Sequence, residues 1–297
     1  MKKCLVTGTT GLIGAHLLAA FPSDWQVFAG SRSPNAAYPP LTAISPTRLD
    51  LSSNWDATDL PAKLDAVIHL AQSEHFREFP EKALDIFQVN TLSTLRLLDY
   101  ARQAGARTFV LASSGGVYGH HEQEFVEDEP VAANADLGFY LGTKLCSEIL
   151  AENYTSFMNV IVLRFFFVYG VGQKRTMLIP RLVQSVLDGR PLTLQGQDGI
   201  RINPTHVSDA VTAILRTLDL QGSHKINVGG PEVLSLRRIA EIIGAVVGKE
   251  PIFDVHTDGE PRHLVGDIRK MSHLLEAPKI SFEQGIRTYI DTTYGKH

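Results

Sequence analysis

The chain has 297 residues, 44% of them hydrophobic and 20% charged, with a formal net charge of −4. That is enough chain for one large or two modest cores, and no cluster of Lys and Arg marks it for a nucleic acid or an anionic membrane surface. Its two cysteines, Cys4 and Cys146, are too few for a disulfide framework or a CxxC metal site, which points to a reducing, cytoplasmic setting.

In chain order, Met1-Lys2-Lys3 leads into "CLVTG" without the apolar segment and cleavage site of a signal peptide. Five short apolar runs follow: "CLVTG" (4–8), "WQVFAG" (25–30), "AVIHLA" (66–71), "TFVLASS" (108–114) and "VIVLRFF" (160–166). Runs without polar alternation suit strands buried on both faces. The longest apolar stretch, 160–170, contains Arg164 and falls short of the ~20 residues that cross a bilayer. Amphipathic segments lie between the runs; the one over 86–105 closes on Gly105, as a helix C-terminus does. This ordering predicts an α/β fold with a doubly wound parallel sheet of Rossmann type. Beyond residue 170, helices are expected near 177–188, 207–218 and 235–247, between Gly- and Pro-bearing loops. The expected division is a dinucleotide-binding unit over 1–170 and a smaller α/β substrate unit over 171–297, with some exchange of elements between them.

After the first run, "TGTTGLIG" places Gly8, Gly11 and Gly14 at GxxGxxG spacing ahead of an amphipathic run. Glycines there permit a tight turn and close approach of backbone to a pyrophosphate at the helix N-terminus; a plain turn between strand and helix is the alternative. The second run ends in Ser31-Arg32, where a dinucleotide site often has an acid for the ribose 2′-hydroxyl. A guanidinium there pairs with a 2′-phosphate, so NADP(H) is favoured, with NAD(H) possible. Asp50, in "LDLS" after a third strand, suits either the adenine amino group or a turn.

In "GFYLGTK" Tyr140 and Lys144 stand four residues apart and share a helix face. A protonated lysine beside the phenol would favour the phenolate and lower the tyrosine pKa. Upstream, "LASSGGVYG" ends the fourth run with Ser114 at a strand's carboxyl end, where ligands of open α/β sheets bind; a serine-rich turn is the alternative. "GHHEQE" gathers His120, His121, Glu122 and Glu124 without metal-ligand spacing, and Ser113 and Ser114 are not in a GxSxG elbow, so neither a metal nor a serine hydrolase is expected.

In order and spacing, "TGTTGLIG", "HLA" (69–71), Asn90 in "VNTLSTLRLLDYARQAG", "SSGGVYG", "YLGTK", "LRFFFVYGVGQ", "HVSDA" and "INVGGPEVLSLRRIAEIIG" cover nearly the whole chain. Together they resemble the extended short-chain dehydrogenase/reductase family, the NAD(P)-dependent epimerases and dehydratases of nucleotide sugars. The resemblance implies that Tyr140 exchanges a proton with a sugar oxygen, that Lys144 holds the nicotinamide ribose, and that Ser114 helps polarise the oxygen. It also implies cofactor contacts from Gly8, Gly11, Leu12, Ile13, Gly14, Ser31, Arg32, Asp50, Leu51, Leu70, Ala71 and Asn90. Gly116, Phe167, Arg201 and Arg262 are the implied substrate residues.

Departures from the family pattern narrow the expectation. Gly115-Gly116 replace the Asp-Glu pair usual in dehydratases, so dehydration is disfavoured, and Phe167 replaces an asparagine that often helps bind the nucleotide sugar. "RINPTHV" stands where "RDFIHV" is common, and Arg201 and Arg262 offer planar donor forks for phosphate. The expected enzyme is a reductase of a nucleotide-linked keto-sugar, with a 4-epimerase as the alternative. A non-catalytic dinucleotide sensor or scaffold is the reading from another class. A homodimer through helices near 86–104 and 139–156 is implied by the resemblance alone.

Overall fold

A computed structural model describes residues 1–33, 43–119, 122–131, 133–259 and 261–295. The first half alternates strands and helices: β1 (Lys2–Thr7), α1 (Leu12–Ala20), β2 (Trp25–Ser31), β3 (Ala43–Arg48), β4 (Ala66–His69), α2 (Ala83–Phe87), α3 (Ser93–Gln103), β5 (Thr108–Ser114), α4 (Gly138–Glu152) and β6 (Asn159–Phe165). The second half adds β7 (Val168–Tyr169), α5 (Leu178–Asp188), β8 (Leu192–Gln195), β9 (Arg201–Ile202), β10 (Thr205–His206), α6 (Val207–Thr217), β11 (His224–Val228), β12 (Leu234–Ser235), α7 (Leu236–Val247), β13 (Phe253–His256), α8 (Arg269–Leu274) and α9 (Phe282–Tyr294).

Seven strands form one sheet in the order β11-β6-β5-β4-β1-β2-β3, and every pairing is parallel. Both faces are covered, as the unalternating apolar runs require. Along β1, Cys4 and Val6 pack on one side with Leu17 and Leu18 of α1, while Leu5 points to the other with Leu97 and Leu98 of α3. The fold is thus the expected doubly wound α/β sheet. The order of strands reverses between β1 and β4, so their carboxyl ends diverge and open a crevice there.

Residues beyond 170 serve two layers. Strand β11 extends the main sheet beside β6, and α6 packs Val207, Val211 and Ile214 into the core that holds α1. The remainder builds a separate core around Ile179, Val183, Ile239, Ile243, Phe282 and Ile286 from α5, α7 and α9. The short pairs β7–β10, β8–β13 and β9–β12 stand outside the main sheet.

The helix expected over 86–105 begins at Ala83 and widens into a π-helical turn over Gln88–Leu92 before continuing as α3. Polar side chains compete for the backbone there: Ser93 Oγ donates to Val89 O, while Thr94 Oγ1 and Ser147 Oγ both donate to Asn90 O at 2.6 and 2.8 Å.

Beneath the carboxyl end of β5, Glu148 of α4 and Arg164 of β6 form a fully buried ion pair, with Arg164 Nη2 2.6 Å from Glu148 Oε2 and Arg164 Nε 3.1 Å from Oε1. Ser113 Oγ donates to the same carboxylate, and the guanidinium carbon lies 4.4 Å from the Tyr118 ring centroid. Removing one member of such a pair leaves an uncompensated buried charge. Arg164→Met is therefore expected to lower stability by about 3–5 kcal/mol, as measured by urea unfolding. A loss below about 1 kcal/mol would contradict the pair's burial.

Candidate active site

The turn after β1 sets the geometry of the crevice. Gly8 has φ +73°, and a Cβ there would stand 2.7 Å from Ala71 N and 2.8 Å from Leu70 C, so the turn presses on the backbone that leaves β4. A Cβ on Gly14 would meet Gly8 O at 2.2 Å, which brings α1 close against its own turn. Gly11 is the N-cap of α1 and supplies no side-chain cap, so the first-turn amides face the crevice as an anion site. Thr7 Oγ1 lies 2.7 Å from His69 Nδ1 and accepts from Ala71 N at 3.3 Å, while His69 Nε2 lies 3.0 Å from Thr94 Oγ1. Burial holds that imidazole down to about 3, so it is neutral and ties β1, β4 and α3 together.

The crevice is about 590 Å³ in volume. It brings together Gly8, Gly11, Leu12, Ile13, Gly14, Ser31, Arg32, Asp50, Leu51, Leu70, Ala71, Ser114, Tyr140, Lys144 and Phe167. The glycine cradle, the uncapped helix end and the long lining from β2 to β5 fit an extended dinucleotide.

Four predicted residues stand apart from the lining. Asn90 is buried behind it: its Oδ1 accepts from Ser73 N at 2.8 Å and its Nδ2 donates to Thr143 Oγ1 at 3.0 Å, so it binds the segment after β4 to α4. Gly116 lies under Leu141, 2.9 Å from where a Cβ would reach. Arg201 and Arg262 stand on neighbouring segments, joined where Leu264 N donates to Arg201 O at 3.0 Å. The Arg201 fork donates to Glu122 O at 2.8 Å, and Arg262 is exposed. His120 and His121 lie outside the described residues; among the described residues no group of three or more His, Cys, Asp or Glu is placed to hold a metal.

The catalytic candidates are differently placed from what spacing suggests. Tyr140 Oη donates to Gln72 Oε1 at 2.8 Å, and its ring lies 5.1 Å from that of Phe76. Lys144 is buried and donates from Nζ to Ala112 O at 2.9 Å. The expectation that Lys144 pulls the phenol down is not met in this arrangement, because burial pushes Tyr140 up and no opposing cation offsets it. Burial also lowers Lys144 to about 8, and the carboxylate of Glu148 acts the other way. Lys144 thus keeps its proton at neutral pH and loses it in mild alkali. Ser114 Oγ accepts from Gly116 N at 3.1 Å, which leaves its own hydroxyl proton to donate into the crevice.

Asp50 Oδ1 accepts from Ser52 N and Ser52 Oγ at 3.0 and 2.7 Å, the turn that its residue type suggests, while the residue still lines the crevice. Phe167 has φ +44°, a left-handed conformation that an asparagine adopts more readily than a phenylalanine. Gly115 is obligatory, since a Cβ there would lie 2.4 Å from the buried ring of Phe166.

Sequence reasoning missed Gln72, Glu74, Phe76 and Asp85 from the β4 side, and Gln173, Lys174 and Met177 from the segment before α5. Gln72, Glu74 and Phe76 follow the quoted "HLA" closely, and the carboxyl end of a strand next to the switch point was the available signal; Asp85 comes from α2. Gln173 closes the quoted "LRFFFVYGVGQ", whereas Lys174 and Met177 carry no local signature.

Comparison with known proteins agrees with this geometry. A family model described as the NAD dependent epimerase/dehydratase family matches residues 4–229. A protein of Bacillus subtilis described as uncharacterized UDP-glucose epimerase YtcB is 29% identical over 97% of this chain and 96% of its own length. A UDP-glucuronate 4-epimerase of Thermodesulfobacterium geofontis is 27% identical, over 98% of this chain and 96% of its own. Among solved structures, a mutant of UDP-glucuronic acid 4-epimerase from Bacillus cereus, in complex with UDP-4-deoxy-4-fluoro-glucuronic acid and NAD, superposes with a TM-score of 0.85. It is 27% identical and is matched over 97% of this chain and 98% of its own. From the glycine turn to the Tyr140–Lys144 helix, and by a match over most of its length, the chain belongs to the NAD dependent epimerase/dehydratase family, the extended short-chain dehydrogenase/reductases that its motifs resemble.

Proposed function

We propose that this protein is a 4-epimerase of a nucleotide-linked sugar, with NAD(H) held in the crevice between β1 and β4. The observation that carries the reading is the composition of the β5 end: Ser114, Tyr140 and Lys144 line one crevice, while Gly115 has no room for a side chain and Gly116 supplies none. Proton exchange at a single alcohol needs one acid–base group and one polarising donor. Elimination of water needs a further acid and base, for which position 115 has no space. The relatives described as 4-epimerases, and the Bacillus cereus neighbour bound to a UDP-sugar and NAD, support the reading and favour a UDP-linked hexose or hexuronate.

When bound, the nicotinamide supplies acceptance and return of a hydride. Everything else falls to the chain. The amides of Leu12 and Ile13 hold the pyrophosphate. Tyr140, as phenolate, takes the proton of the C4 hydroxyl as that carbon is oxidised, and gives it back when the ketone is reduced from its other face. Lys144, protonated at neutral pH, offers the two ammonium protons not directed at Ala112 to the nicotinamide ribose and the phenolate. Ser114 donates to the same sugar oxygen. Residues 171–297 hold the nucleotide part of the substrate, with Phe167 in the crevice wall; Arg201 and Arg262, outside that lining, are its phosphate partners.

Ser31-Arg32, in place of an acid at the end of β2, favours a second reading: reduction of a keto-sugar by exchangeable NADPH. Exposed Leu84, Phe87, Leu92 and Ile149 on α2, the π turn and α4 support a homodimer through those helices. Free Cys4 and Cys146 support a cytoplasmic setting, and no helix among the described residues is long and apolar enough to cross a membrane.

Tyr140→Phe should keep the fold and nucleotide binding while slowing turnover by at least the ~10²-fold typical of a lost acid–base group; steady-state rates near wild type would remove the phenol from the reaction. With a 4-keto nucleotide sugar and NADPH, the enzyme should show no sustained fall in absorbance at the nicotinamide band. Consumption of NADPH in step with product would install the reductase instead.

A further inference from the structure

Arg32 stands at the end of β2, where its side chain alone reads as a partner for a 2′-phosphate. In the structure its guanidinium is already engaged: Nη1 lies 2.7 Å from Glu74 Oε1. Glu74 comes from the segment after β4 and lines the same crevice. Asp50 and Asp85, also in the lining, add their fields at Arg32. Lys174 is the further cation of the lining that acts on Glu74, alongside His75. Arg32 is thus acted on by three carboxylates, those of Glu74, Asp50 and Asp85, and its direct contact is with Glu74.

We propose that Glu74 sets the cofactor preference of the crevice: by occupying the fork of Arg32 it returns to this corner the carboxylate that Ser31 lacks, and so selects the ribose diol of NAD(H) over the 2′-phosphate of NADP(H). The proposal rests on the reading of the crevice as a dinucleotide site. A phosphate monoester carries about −1.5 to −2 charges at neutral pH. It would have to displace the Glu74 carboxylate from Arg32 and then remain beside it, in the field of the Asp50 and Asp85 carboxylates of the same lining. An uncharged diol meets no such repulsion and can donate to a carboxylate, as it does to the acid that dinucleotide domains commonly carry at the second strand. Both members of the pair are largely exposed, with 63% of the Arg32 side chain and 44% of that of Glu74 accessible. Such a pair adds little to stability, so its chemistry can be altered without loss of the fold.

The test is calorimetric titration of the desalted protein with NAD⁺ and with NADP⁺, in the wild type, in Glu74→Gln and in Glu74→Gln combined with Arg32→Ala. The wild type should bind NAD⁺ more tightly. Glu74→Gln, which removes the charge and keeps the shape, should move the ratio of the two dissociation constants about five- to tenfold towards NADP⁺, the scale of one charge acting over a few ångströms in water. The double variant should lose that gain. A wild type that prefers NADP⁺, or an unchanged ratio in Glu74→Gln while both nucleotides bind, overturns the role of Glu74 and leaves the dinucleotide site standing. Binding of neither nucleotide by the wild type overturns the site and the proposal together.

Discussion

The contact between Glu148 and Arg164 fixes α4, the helix that carries Tyr140 and Lys144, to the sheet. Arg164 lies opposite Ser113 in the β5–β6 register, and Ser113 donates to the same carboxylate, so one buried acid holds α4 against two adjacent strands. One helical turn towards the N-terminus of α4 is Lys144, and one turn further is Tyr140, both on the face that Glu148 anchors. Ser114 is the next residue of the strand that Ser113 pins. A buried ion pair of this kind adds little net stability compared with apolar residues of the same volume, because desolvation offsets attraction. Its effect here is positional: it sets the rotation and depth of α4, and through them where a phenol and an ammonium enter the crevice. Asn90 makes a second anchor on the same helix, through Thr143, and ties it to the segment that carries Gln72.

At Tyr140 and Lys144 the electrostatics of the crevice follow from burial more than from pairing. Tyr140 is pushed up and Lys144 down by the same loss of water, and each therefore rests closer to its uncharged form than it would at the surface. Glu148 opposes the shift at Lys144, so the carboxylate that positions the helix also helps keep the lysine charged at neutral pH. A phenol held neutral can donate a proton; accepting one requires the phenolate, which burial alone disfavours.

Much of this was legible in the sequence because it depends on local rules. Unalternating apolar runs announced a sheet covered on both faces, "TGTTGLIG" announced a close turn, and Tyr140 and Lys144 had to share a helix face. What escaped depends on contacts between distant segments. Nothing near Asn90 reveals that its side chain faces Ser73 and Thr143 rather than the crevice, or that Ser93, Thr94 and Ser147 converge on neighbouring carbonyls to widen the helix. Strand β11 joins the main sheet from far along the chain, and periodicity cannot say which sheet a short run will enter. The expected influence of Lys144 on the phenol assumed that i,i+4 neighbours act on each other, whereas Lys144 turns to Ala112 O at the end of β5. Arg32 was read without Glu74, a partner 42 residues away in the chain.

In the proposed 4-epimerase reaction, hydrogen leaves one carbon of a sugar and returns to that same carbon on its other face, with Tyr140 handling the proton. The most direct measurement follows deuterium placed at C4 of a UDP-hexose or UDP-hexuronate through turnover by the purified enzyme, with the products read by mass spectrometry and NMR. A 4-epimerase should yield a mixture of C4 epimers that both retain deuterium at C4, with no net change in reduced nicotinamide. Deuterium lost to solvent, or transferred to released nicotinamide while a single sugar product accumulates, would contradict it.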